Sequence, residues 1–303
     1  MKYTIALSGT FDVENYGDLL FPEIFKKAME KRGLNFELVL FSPDASQEEK
    51  ALDASITVYP NSQMEEMHRQ RPFDAIVVGG GALLQYRKIP VKKPNNQSFS
   101  EYRISDSWVL PTIFALRHNI KILYNLPQVP HPFDSRVAQF TKSILSQVDY
   151  LGVRDYISRD HILSLYGETE LKPNIEVYPD SVCCLPELVD LEMLNQLRSK
   201  ILNFDSPYVV LHFNAQKPEK DDVYIVNTIH MLMDRGFKVV LLPLGYTHND
   251  DTVFEAFNEK VGGVCYTFQR KLSIYEMMAI LAGCEIYIGT SFHGAITALT
   301  YGR

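Results

Sequence analysis

A chain of 303 residues is longer than most single hydrophobic cores can organise and suits two domains. Hydrophobic residues make up 46% and charged residues 22%, a balance that excludes a disordered chain. A net charge of −7 argues against a nonspecific binder of nucleic acid or of an anionic membrane, so an anionic ligand must be held by local cations and backbone dipoles.

The chain opens on MKYTIALSG, one lysine ahead of an apolar run too short for a secretory leader. No stretch approaches the roughly 18 consecutive apolar residues of a membrane-spanning helix, so a cytoplasmic protein that is not integral to a membrane is expected. From there strand and helix alternate, with no visible internal repeat. The strand candidates YTIALSG, FELVLFS, SITVYP, DAIVVGGG, KILYNLP, YLGVRD and EVYPDS are mostly continuous apolar runs, as in parallel strands covered on both faces. The pattern predicts doubly wound α/β architecture.

In such sheets ligands bind at the carboxyl ends of the strands, so residues there deserve the closest reading. The first strand ends in SGTFDVENYGDLL, with Asn15, Gly17 and Asp18 just before a helix start that offers backbone N–H groups. Asp18 fits an N-cap equally well. In the following helix Leu20, Ile24 and Ala28 form one row and Phe21, Phe25 and Met29 the next, with Pro22 expected in the first turn. The fourth strand ends in Gly79, Gly80 and Gly81, whose chain-entropy cost must be offset by close packing or by an approaching ligand. Residues 87–103 are polar, with five Lys or Arg among seventeen, and are expected to form a solvated loop or an anion-facing lid. Arg154 stands at the tip of the sixth strand, suited to gripping a carboxylate or phosphate; an ion pair with Asp155 or Asp180 is the other reading.

The break between residues 180 and 207 predicts a domain boundary, giving domains 1–185 and 186–303. Cys183, Cys184, Cys265 and Cys284 form no CxxC pair, and their apolar flanks predict buried free thiols with no metal site. The second half resumes with YVVLHFN, KVVLLPLG, GVCYTF and EIYIGTS. His212 lies inside an apolar strand and reads as a satisfied core histidine, whereas His248 lies in a loop able to face a cleft. Ser273 and Glu276 predict a capping box. The closing GTSFHGAITALTYGR runs from a strand end into Thr290, Ser291 and His293, with Gly294 opening a helix. A histidine there can bind an anion together with helix N–H groups, or deliver a proton near neutral pH, which makes it the strongest candidate.

The blocks GTFDVENYGD, VVGGGALLQ, GVRDYISRD, VYPDSV, PLGYTHND and GTSFHGAITALTYG occur in the order seen in the polysaccharide pyruvyl transferase family, which the chain resembles over nearly its whole length. The resemblance implies two Rossmann-like domains in a glycosyltransferase-B-like arrangement, with mostly parallel sheets and the active-site cleft between domains. It implies transfer of a pyruvyl ketal from phosphoenolpyruvate to a sugar hydroxyl of a cell-surface or exopolysaccharide precursor. The acceptor would be a sugar or lipid-linked oligosaccharide, met by peripheral contact where it is membrane-linked, with no further cofactor. The family's histidine falls on His293, its strand-end arginine on Arg154 and its Asn-x-Gly-Asp turn on residues 15–18. Roles follow: His293 as acid or phosphate contact, Arg154 on carboxylate or phosphate, and Asp18 on the acceptor hydroxyl. Asn15, Gly17, Gly79, Gly80, Gly81, His248, Ser291 and Gly294 are expected to line the substrate.

Two departures stand out. Many members read Arg-Leu-His where this chain has Ser291, Phe292 and His293, which removes a phosphate-directed cation. Members also continue past the helix that closes this sequence, so an unfinished second domain is expected. Two other functions fit the same architecture. One is a nucleotide-sugar-dependent glycosyltransferase, which would need Glu285 or Asp250 to hold ribose hydroxyls. The other is a noncatalytic sugar- or anion-binding protein.

Overall fold

The computed structural model describes residues 2–44, 57–92, 99–168, 170, 172–213 and 222–303. The chain forms two compact units, Met1–Val13 with Phe21–Ser181 and Glu14–Leu20 with Val182–Arg303. Nothing in the linear pattern announces that Glu14–Leu20 belong with the C-terminal residues.

The first unit runs β1 (Tyr3–Ser8), α1 (Tyr16–Lys31, whose opening residues belong to the second unit), β2 (Phe36–Ser42), β3 (Val58–Pro60), α2 (Met64–Gln70) and β4 (Ala75–Gly79). It continues with β5 (Lys88–Lys92), β6 (Phe99–Arg103), α3 (Val109–His118), β7 (Lys121–Asn125), α4 (Ser135–Leu145), β8 (Tyr150–Val153), α5 (Tyr156–Leu163) and β9 (Glu176–Val177). Seven of these strands make a parallel sheet in the order β3-β2-β1-β4-β7-β8-β9. The register aligns Val39, Ala6, Ile76 and Ile122 across four neighbouring strands. All four are buried, which is why these strands read as apolar throughout.

Three expectations are corrected here. The region 87–103 is not a plain loop: β5 and β6 pair antiparallel, with Lys88 opposite Arg103, while residues 93–98 lie outside the described residues. Helix α1 begins at Tyr16, so Pro22 lies inside it rather than in its first turn. The capping role falls on Asn15, whose Oδ1 accepts the Gly17 N–H at 3.0 Å, and not on Asp18.

The strand order reverses between β1 and β4, where a doubly wound sheet normally opens its ligand crevice. Here the chain fills that space itself. A Cβ on Gly9 would meet the Phe11 ring at 2.5 Å, and one on Gly80 would meet the Phe21 ring at 2.0 Å. Gly80 also holds φ at +70°, a left-handed conformation that costs other residues about 1–2 kcal/mol. The glycine run therefore has a structural cause in turn geometry and in Phe21.

The second unit contains α6 (Leu185–Leu188), α7 (Leu191–Ile201), β10 (Tyr208–His212), α8 (Asp222–Asp234), β11 (Lys238–Leu241), α9 (Asp250–Lys260), α10 (Ile274–Gly283), β12 (Ile286–Gly289) and α11 (Phe292–Thr300). Its parallel sheet has the order β11-β10-β12, so the direction reverses between β10 and β12. Val209, Leu211, Val239 and Leu241 pack with Ile229, Leu232, Phe254 and Phe257 in the core. The capping box of Ser273 and Glu276 opens α10, which is buried on nearly all sides. GVCYTF forms no strand; Tyr266 makes an isolated parallel bridge to Val240. Cys265 and Cys284 are buried, and burial pushes each thiol up to about 11. Cys183 and Cys184 are instead exposed, because their apolar neighbours Val182 and Leu185 take the inward positions.

Gly80→Ala adds left-handed strain to overpacking against Phe21, for an expected loss of about 2–4 kcal/mol in urea unfolding. A double-mutant cycle with Phe21→Ala is expected to show a coupling of about 1 kcal/mol or more; additive effects would remove Phe21 from the account.

Candidate functional site

In the second unit the three strands end on one side, and the residues just past their ends line a cleft of about 250 Å³. His212 is the last residue of β10, Leu244 and Gly245 follow β11, and Thr290 and Ser291 follow β12. The β10–β12 register sets His212 opposite Gly289, and the Thr290 N–H donates to the His212 carbonyl at 3.1 Å. The cleft thus occupies the switch point of this sheet, where doubly wound folds bind ligands.

The start of α1 completes one wall. The Tyr16 N–H donates to the Leu244 carbonyl at 2.8 Å, and Asn15 bridges Gly245. The buried Tyr16 hydroxyl meets Thr297 at 3.0 Å on α11. These contacts bring α1 so close to α11 that a Cβ on Gly17 would lie 2.0 Å from His293 Nδ1. Glycine at position 17 is therefore a steric requirement of the histidine's placement. Ser291 caps α11, its hydroxyl accepting the Gly294 N–H at 3.2 Å, and His293 sits in the first turn at the positive end of the helix dipole. A side chain on Gly294 would strike the Tyr287 hydroxyl, which donates to the Ser291 carbonyl at 3.2 Å.

Burial raises the phenols of Tyr16 and Tyr287, and pushes that of Tyr246 up to about 12. They stay neutral at physiological pH and serve as hydrogen-bonding struts rather than bases. The polar groups that line the cleft are histidines, hydroxyls, Asn15 and Asp250; among the described residues no Lys or Arg does so. Nor, among the described residues, does any group of three or more His, Cys, Asp or Glu take up a metal-binding arrangement.

The cleft gathers four residues singled out from the sequence, Asn15, His248, Ser291 and His293, with Gly17 and Gly294 packed at its edge. Asp18, in the first turn of α1, is not among its lining residues. Two further lining residues meet in a contact that the sequence does not display. His212 was expected only as a satisfied core histidine, and Asp250 only as a ribose contact. For His212 the signal is a polar residue closing a wholly buried strand at the switch point; Asp250 opens α9 and carries no such signal. His212 Nε2 lies 3.1 Å from Asp250 Oδ2, which also accepts the N–H groups of Leu244 at 3.2 Å and Gly245 at 2.7 Å. Asn214 lies outside the described residues.

Arg154, Gly79, Gly80 and Gly81 belong to the first unit. The Arg154 side chain is 8% exposed, donating to Asp180 at 3.0 Å and to Gln128, with Asp155 at 4.0 Å. Asp155 also caps α5 by accepting the Ser158 N–H at 2.6 Å. The ion-pair reading of Arg154 is thus realised, and the pair holds the ends of β8 and the β9 segment together.

Asp180→Ala takes the carboxylate from a buried guanidinium and is expected to cost about 3–5 kcal/mol in chemical unfolding; a cost near zero would make the pair dispensable. Gly17→Ala is expected to shift the His293 imidazole resonances while leaving those of His68, in the first unit, in place. Unmoved His293 signals would contradict the close packing.

The sequence profile of the family described as polysaccharide pyruvyl transferase matches residues 15–303. No curated protein matches the chain. Among solved structures, the UDP-GlcNAc 2-epimerase of Methanocaldococcus jannaschii in complex with UDP-GlcNAc and UDP is similar with a TM-score of 0.58 and 13% identity, over 99% of this chain and 82% of that one. The UDP-GlcNAc 2-epimerase of Neisseria meningitidis bound to UDP-GlcNAc gives 0.56 and 10%, over 96% and 78%. The E. coli ADP-heptose LPS heptosyltransferase II gives 0.51 and 12%, over 99% and 82%. At such identities the likeness speaks for fold alone, mostly parallel sheets with helices of the kind built by these epimerases and glycosyltransferases. With the family profile spanning nearly the whole chain, this protein belongs to the polysaccharide pyruvyl transferase family, and is a transferase.

Proposed function

We propose that the chain moves the enolpyruvyl unit of phosphoenolpyruvate onto a sugar hydroxyl and closes it as a cyclic ketal. The observation that carries this reading is His293, seated in the first turn of α11 against Gly17 and beside the Ser291 cap, in a cleft at the β10/β12 switch point. The donor bears a carboxylate and a phosphate on one enol carbon, so its site needs anion contacts and one proton donor. The positive end of α11 and the imidazole suit an anion without a lysine or arginine in the lining.

Protonated His293 gives its proton to C3, the double-bond electrons form the C3–H bond, and C2 becomes oxocarbenium-like. A sugar hydroxyl adds to C2. The C2–O bond to phosphate then breaks with its electron pair, and a second hydroxyl of the same sugar closes the ring. The acceptor is a sugar or lipid-linked oligosaccharide precursor of a cell-surface or exopolysaccharide, met in the cytoplasm. Contact with a lipid-linked acceptor would be peripheral; among the described residues no helix is long and apolar enough to cross a membrane.

Two observations weigh against a nucleotide-sugar donor. Asp250 Oδ2 already accepts three hydrogen bonds from the protein. Glu285 precedes β12, at the opposite ends of the strands, and lines a different pocket with Arg198 and Arg303.

Phosphoenolpyruvate is expected to raise the melting temperature, with about 2.7 kcal/mol of stabilisation at 100 times its Kd, whereas UDP-sugars are expected to leave it unchanged. The reverse pattern would favour the nucleotide-sugar reading. His293→Gln is expected to lower kcat by about 100-fold or more, and intact turnover would remove His293 as the acid.

A further inference from the structure

We propose that Thr290, His212 and Asp250 form a proton relay that accepts the proton of the attacking sugar hydroxyl; the inference rests on the enolpyruvyl transfer proposed above. A carboxylate only accepts hydrogen bonds, so the His212 Nε2 that lies 3.1 Å from Asp250 carries the hydrogen. In the neutral ring Nδ1 then holds a lone pair, and the Thr290 hydroxyl stands 3.4 Å from it. Hydroxyl, imidazole and carboxylate follow one another in the order that activates hydroxyls in triads, with Nε2 rather than Nδ1 on the acid.

Burial makes the arrangement directional. His212 and Asp250 are 7% and 3% exposed, whereas Thr290 is exposed. The ring is fixed from behind, because the same Asp250 oxygen is tied to the N–H groups of Leu244 and Gly245. Its free nitrogen faces the cleft's hydroxyl and not the core. His212, Thr290 and His293 line the same cleft, so two of its three imidazoles stand beside a reaction that moves two protons.

The proton balance closes. As the sugar O–H bond breaks and the O–C2 bond forms, the proton passes to Thr290 Oγ while Thr290's own proton passes to His212 Nδ1. The resulting imidazolium is set against Asp250. When the C2–O bond to phosphate breaks and its electron pair leaves with the phosphate, His212 returns a proton through Thr290 to a phosphate oxygen. The second hydroxyl returns to His293 the proton given to C3. Two hydroxyl protons are lost, one ending on carbon and one on phosphate.

The test follows phosphate release from phosphoenolpyruvate with methyl glycosides of galactose, glucose and mannose as acceptor probes. Thr290→Val is expected to lower kcat by about 100-fold with KM for phosphoenolpyruvate within about threefold, and Thr290→Ser, which restores the hydroxyl, to recover most of kcat. Asp250→Asn is expected to lower kcat similarly. Thr290 is exposed, so its valine variant stays interpretable even if the buried Asp250 or His212 variants fail to fold. An independent readout is the 15N spectrum of His212, expected to show the Nε2–H tautomer in the wild type. A wild type that turns over, with Thr290→Val unimpaired, overturns the relay and leaves the transfer reading standing. An Nδ1–H tautomer overturns the relay on its own. A wild type that releases no phosphate with any glycoside overturns both.

Discussion

One carboxylate oxygen, Asp250 Oδ2, organises the second unit's cleft. Burying an anion costs several kcal/mol unless donors surround it, and here three converge, from His212, Leu244 and Gly245. Those bonds fix the turn after β11 and the ring at the end of β10 together. The turn in turn holds α1, since Leu244 and Gly245 are the partners of Tyr16 and Asn15. Through α1 the constraint reaches His293, which Gly17 allows to approach. The placement of two imidazoles thus depends on one acidic side chain.

The chemistry suited to such a cleft differs from that of a cationic phosphate clamp. Its lining carries histidines and a helix dipole rather than fixed positive charges. A permanent guanidinium holds an anion at every pH but cannot give up a proton there. An imidazole near neutrality can do both, so the site gains proton mobility where it lacks fixed charge. The phenols around it are kept neutral by burial and act as rigid spacers.

Much of the architecture was legible from the sequence because parallel strands leave continuous apolar runs, and the Ser273–Glu276 box could be read by spacing alone. Strand order was not, since it depends on which crossovers the helices take. GVCYTF looks like any other strand, yet only Tyr266 reaches β11. The exposed Cys183 and Cys184 show the limit of judging burial by neighbours: Val182 and Leu185 won the inward positions. At the site, His293, Ser291 and Asn15 were visible as polar residues at strand and helix ends. The pairing of His212 with Asp250 was not, because it is a contact across 38 residues. The glycine run at 79–81 invited a ligand, and the space at Gly80 is taken by Phe21.

The bond between Tyr16 and Thr297 spans 281 residues of chain. At ribosomal speeds of about 5–20 residues per second, Tyr16 is made on the order of 15–60 s before its partner. Until the turn after β11 is made, the opening turn of α1 lacks the partners Leu244 and Gly245, and the Tyr16 hydroxyl waits longer still for Thr297. Nascent chains of this protein therefore carry an early segment, residues 14–20, whose shelter is made long after it, and which a chaperone can cover in the meantime.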